Sequence, residues 1–217
     1  MPRNAANLFL FGIALTIERR TLEMENSKSK NNIGGWIFGS LTLVALVLIL
    51  YTWFQPWWVA FIEELGENGV VIYPHAMNIL GTLRDYPQWI VGAEMPAWFF
   101  PAMWIYLLIC VFALLASFLY QDEWFMLGKK KVYMNQFLVG LIGFGYIVFV
   151  IVFPLVIAIK APQFGGVKLQ GDVFISMDEH TESWVRSTLQ PSYWIACFIG
   201  PVLMLMAIFR NKILGKS

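Results

Sequence analysis

Residues 33–62, 95–120, 132–159 and 193–209 form four long stretches with no Asp, Glu, Lys, Arg or His. A helix that crosses the hydrocarbon of a bilayer needs about 20 predominantly apolar residues, so each stretch is read as a membrane span. The fourth is the shortest, at 17 residues, but Pro191 offers a helix start and Arg210 and Lys212 can snorkel at its far end. Composition agrees. Charged residues are 13% of the chain, against about a quarter in soluble domains. The expected fold is an all-α membrane protein, a four-transmembrane-helix bundle. Residues 1–32 form an N-terminal segment and residues 33–217 the transmembrane domain.

The segments between the spans sort by charge. Arg3, Arg19, Arg20, Lys28, Lys30, Lys129, Lys130, Lys131, Arg210, Lys212 and Lys216 fall at the two termini and in the middle loop, eleven in all. The other two loops, residues 63–94 and 160–192, hold four: Arg84, Lys160, Lys168 and Arg186. By the positive-inside rule this places both termini in the cytoplasm and the two long loops on the extracytoplasmic side of a cell membrane. Those loops carry nine acidic residues, among them Glu63, Glu64, Asp172, Asp178, Glu179 and Glu182.

The long loops have helix signals rather than linker composition. Ser176 and Glu179 have the spacing of a capping box, and Glu182 with Arg186 reads as an i,i+4 pair on the helix that would follow. Residues 77–83, between Pro74 and Pro87, are long enough for one or two helical turns, and residues 167–170 alternate as a short extended segment would. Trp53, Trp57, Trp58, Trp89, Trp98, Trp124, Tyr193 and Trp194 cluster near span ends, where aromatic rings anchor at headgroup level.

Residues 7–17 have the length of a signal-peptide core, yet only Arg3 precedes them and no small-x-small cleavage site follows. The preferred reading takes Met24 as the natural start and residues 1–23 as an upstream extension; an interfacial helix is the alternative.

Several function classes lose support here. Net charge is +1 and no phosphate loop or basic-aromatic interleaving is present, so nucleic acid is not an expected partner. Proton relays and ion-coupled transporters place ionisable groups inside the bundle, and these spans have none. Nucleophile elbows and HExxH motifs are missing, so no catalytic residue is assigned. Cys110 and Cys197 lie singly in apolar runs and read as buried small hydrophobes. Four spans with two outer loops is a topology shared with claudin-like proteins and with quinone-coupled thiol oxidoreductases. Both need loop cysteine pairs that this chain lacks, so no family is assigned.

Two sets of residues remain as candidates. His75 and Met77 in one long loop, with Asp178 and His180 in the other, combine imidazole, thioether and carboxylate; this set suits copper or another divalent metal, although no cofactor is required by the sequence. Gly35 and Gly39 form a GxxxG motif, and Gly140 and Gly143 thin one face of the third span; small residues let helices approach closely within a bundle or across to another subunit. The expected function is a noncatalytic accessory or structural subunit of a larger membrane complex, contacting lipid and other subunits or further copies of itself. A small membrane enzyme or copper-handling protein, and a pore or carrier for a neutral substrate, are the alternatives.

Overall fold

The computed structural model describes residues 33–64, 66–81, 95–120, 123–127, 130–163, 166–176 and 182–214. Four long helices are present: α1 (Ile33–Trp53), α2 (Phe99–Leu119), α3 (Met134–Lys160) and α4 (Pro191–Ile208), followed by a short α5 (Arg210–Ile213). Each of the four is long and apolar enough to cross a membrane. Their surfaces fit that setting. The most apolar window of α2 is only 22% buried within the chain, and Ile105, Leu108, Ile109 and Phe112 are exposed along it.

The all-α expectation does not extend to the loops, because the chain also has two sheets. Five antiparallel strands, β1 (Trp58–Ile62), β2 (Glu67–Ile72), β3 (Met77–Ile79), β6 (Gly171–Ser176) and β7 (Glu182–Leu189), pair in the order β3-β2-β1-β7-β6. A separate hairpin, β4 (Trp124–Leu127) with β5 (Lys130–Tyr133), joins α2 to α3. In that hairpin the Lys131 ammonium lies 4.0 Å from the Trp124 ring centroid.

The first helix ends at Trp53 rather than running on to residue 62. Pro56 is the reason: it has no N–H to donate and disfavours helical geometry in Gln55 before it. Beyond it the apolar run 58–62 becomes β1, the central strand, with only Phe61 exposed. A strand buried on both faces is a continuous hydrophobic run, the same pattern as the end of a membrane helix.

β7 also replaces an expected helix. Ser183, Val185 and Ser187 are buried while Trp184 and Arg186 are exposed, a period of two. Arg186 therefore does not pair with Glu182 along a helix; it bridges neighbouring strands, at 2.8 Å from Glu63 and 2.9 Å from Asp172. The expected capping box falls partly outside the described residues, since Glu179 is not among them. Residues 77–79, expected in a helical turn, are strand β3, and the extended segment expected at 167–170 gives way to β6, which starts at Gly171.

Three tryptophans expected at headgroup level are core residues. Trp53, Trp57 and Trp58 are each 0% exposed. Two of their indoles serve the backbone: Trp57 Nε1 donates to Thr52 O at 2.8 Å and Trp58 Nε1 to Leu169 O at 2.7 Å. Tyr193 is buried too, whereas Trp98, Trp124 and Trp194 are exposed; Trp89 lies outside the described residues.

By its contacts the chain divides into two compact units, residues 42–208 and, among the described residues, 33–41 with 209–214. In the second, a Cβ on Gly34 would come within 2.6 Å of Ile213 O. Arg210, expected to snorkel, is buried, with its Nη1 donating to Asn211 Oδ1 at 3.3 Å.

In the unit of residues 42–208, α3 and α4 meet at glycines. A Cβ on Gly200 would lie 2.9 Å from Gly143 O and 2.7 Å from Ile147 Cγ1, and one on Gly143 would lie 2.9 Å from Met204 N. Close approach of this kind is how helices gain packing energy in lipid, where no hydrophobic drive joins them. Pro154 sits inside α3 and removes the donor that Val150 O would otherwise receive. Tyr193 of α4 makes up the loss, its hydroxyl donating to Val150 O at 3.2 Å. Nearer the sheet, Thr52 Oγ1 donates to Leu48 O at 2.9 Å and takes the Tyr146 hydroxyl at 3.1 Å.

Two outcomes are expected from unfolding titrations in mixed micelles. Gly200→Ala costs about 1–3 kcal/mol, because a new methyl there meets the backbone at Gly143 O and Ile147 N as well as Ile147 Cγ1. Tyr193→Phe costs about 1 kcal/mol in the parent. In a Pro154→Ala background the same change costs less, because a regained backbone N–H then supplies Val150 O; equal costs in both backgrounds would show that the hydroxyl does not serve that carbonyl.

Candidate functional site at the junction of sheet and helices

A helix leaves its last four carbonyls without intrahelical donors. At the end of α1, Thr52 O receives the Trp57 indole and Trp53 O receives Nδ1 of His75, at 3.1 Å. His75 reaches this carbonyl from the turn between β2 and β3, which Tyr73 N–H closes onto Ala76 O at 2.8 Å. Because a carbonyl only accepts, Nδ1 carries the proton and Nε2 keeps its lone pair.

Aromatic rings surround the imidazole. Trp104 lies 5.0 Å away between centroids, Phe54 5.6 Å, Tyr73 5.7 Å and Trp53 6.3 Å, the last stacked at 15°. This half-buried, apolar setting pushes the His75 pKa below its ordinary value, and the hydrogen bond to Trp53 O offsets only part of the effect. His75 is therefore neutral near pH 7, a hydrogen-bond donor at Nδ1 and an acceptor or metal ligand at Nε2.

Next to this cage is an apolar cavity of about 80 Å³. Its walls come from three directions: Ile72, Tyr73, Ala76 and Met77 from the sheet, Phe99, Phe100 and Met103 from α2, and Phe149, Val152, Phe153, Val156 and Ile157 from α3, with Met95 at one side. The cavity lies where the sheet meets the helix ends. Phe149 connects it to the core, packing on Trp53 at 5.7 Å and Trp57 at 5.4 Å.

The far face of the sheet has different chemistry. Phe174 and Trp184, directly paired across β6 and β7, have ring centroids 5.1 Å apart and are 49% and 46% exposed. Beside them lies the Glu63–Arg186–Asp172 bridge. Glu64 finishes the edge of this patch, accepting the Trp184 N–H at 2.9 Å and the Ser183 hydroxyl. The Ser183 hydrogen bond holds the Glu64 carboxyl below its usual range.

Of the residues expected to bind metal, His75 lies in the β2–β3 turn and Met77 opens β3 and lines the cavity, while Asp178 and His180 are outside the described residues. Among the described residues no three His, Cys, Asp or Glu side chains cluster as a metal site would require. Of the glycines, Gly140 and Gly143 face α4, Gly140 with the Ala207 methyl 3.3 Å from where its own would be. Gly39 is buried and Gly35 half-buried in α1. Cys110 is buried and Cys197 half-buried, both as free thiols. The aromatic cage itself went unread in the sequence. Its members come from α1, the loop after it, the β2–β3 turn and α2, and no local spacing links them.

No family model, no curated protein and no solved structure matches the chain.

A pH dependence follows from the buried imidazole. The unfolded chain binds the His75 proton more readily than the folded one, so the associated stability is full above about pH 6.5 and is lost as pH falls through that value toward the lower folded pKa. Thermal unfolding in detergent is expected to show this acid-side loss in the parent, and a smaller loss in His75→Gln. An identical pH profile in the variant would place the titration elsewhere.

Proposed function

We propose that this multi-pass membrane protein is a noncatalytic accessory or structural subunit of a larger membrane complex, docked through the exposed face of its sheet. The observation that carries the reading is the Phe174–Trp184 pair beside Arg186. Tryptophan and arginine are the residue types that dominate binding hot spots, and here β-pairing fixes them in place before any partner arrives. The contrast with Trp53, Trp57 and Trp58 sharpens the point. Those three are wholly buried, whereas Phe174 and Trp184 are left about half exposed on the sheet. Protein partners meeting this face would also encounter Glu63, Glu64, Asp172 and Glu182, which favours a partner with basic side chains. The split of basic residues between loops supports a cytoplasmic location for both termini and an extracytoplasmic one for the sheet.

The test is native mass after extraction in mild detergent, with every copurifying polypeptide identified. The parent is expected to hold other polypeptides in fixed stoichiometry, and the double variant Phe174→Ser, Trp184→Ser to lose them at an unchanged unfolding temperature. A parent that runs as a monomer, or only with copies of itself, overturns the reading. Sidedness has its own check: a Lys168→Cys variant is expected to react with an impermeant maleimide applied to intact cells.

A further inference from the structure

We infer that the cavity beneath the sheet holds the acyl chain of a bilayer phospholipid. Its walls set the ligand class. Apart from the edge of Tyr73 they offer only hydrocarbon and thioether, so nothing there would reward a polar or charged guest. The volume narrows the choice further. An apolar cavity of about 150 Å³ takes a benzene ring, and the one here is about 80 Å³, suited to a slender chain end rather than to a fused ring system.

The location supplies the source. Val152 lines the cavity and is also 44% exposed on the surface of α3, so the cavity reaches the face that a membrane helix presents to lipid. The α3 wall is interrupted at this level: its lining from Phe149 to Ile157 brackets Pro154. Proline loosens the backbone ladder of a membrane helix and lets it bend, which keeps two neighbouring helices from closing on each other. Methionine completes the design. Met77, Met95 and Met103 bring flexible, unbranched side chains, which adapt to a chain of variable position.

The experiment uses the full chain in phosphatidylcholine vesicles containing a phosphatidylcholine with a diazirine at its tail. After irradiation, adducts are mapped by peptide mass. Labelling is expected at Met103 and Val156, above that at Phe112, which is exposed on α2 but away from the cavity. Ala76→Trp, which fills the cavity from the sheet, and Val156→Phe, which fills it from α3, are each expected to abolish the excess at Met103 while leaving Phe112 unchanged. A photoreactive sterol is expected to give no excess. Labelling at Met103 and Val156 no higher than at Phe112 in the parent overturns the inference without recourse to any variant. Equal labelling in parent and filled variants, or an excess with the sterol alone, overturns it as well.

Discussion

Carbonyl oxygens that emerge from a helix where water is scarce must find donors, and in this chain they find them on side chains from beyond the helix. Thr52 O and Trp53 O at the end of α1 take the Trp57 indole and the His75 imidazole, and Val150 O, freed by Pro154, takes the Tyr193 hydroxyl. An unmet carbonyl in such surroundings costs more than a typical hydrogen bond contributes, so these three contacts constrain everything nearby. They require Trp57 to turn back under β1, His75 to hang from the β2–β3 turn, and α4 to begin beside the middle of α3. The sheet is thus built onto the helices through their unmet polar groups as well as through apolar contact.

The helices were legible in the sequence because long uncharged runs admit few other structures. Their ends were less so. The apolar residues 58–62 continue the first run without a break in hydrophobicity, and only Pro56 marks where helix gives way to strand. β7 was hidden by a coincidence of spacing: Glu182 and Arg186 are four apart, as a helical pair would be, yet positions two and four apart also share one face of a strand. What decided between them was the partner strand. β1 and β6 flank β7 and hold it as a strand, whose pleat sends Ser183, Val185 and Ser187 to the buried face, and no local pattern in residues 182–189 announces those neighbours.

The site was legible in its parts and not in its assembly. His75 drew attention as one of two histidines, but its role as a donor to Trp53 O depends on a contact 22 positions away in the chain. Aromatics near span ends read alike in sequence, while the structure separates them into core and surface. Trp57 and Trp58 are committed by their indole hydrogen bonds, and Trp184 is left outward by the pleat.

The connections at the sheet's centre are shorter than those at its edges. Between the end of α1 at Trp53 and the start of β1 at Trp58 there are four residues, and between the end of β7 at Leu189 and the start of α4 at Pro191 there is one. β1 and β7 are hydrogen-bonded to each other over five residue pairs. Sliding β1 along β7 by one position, about 3.3 Å, would demand Trp184 in place of Val185 on the buried side. The ladder therefore works as a ratchet with a single tooth engaged: α1 and α4 cannot shift past each other along their lengths unless the sheet is first unzipped, and a pull on either helix is felt as shear between the two central strands.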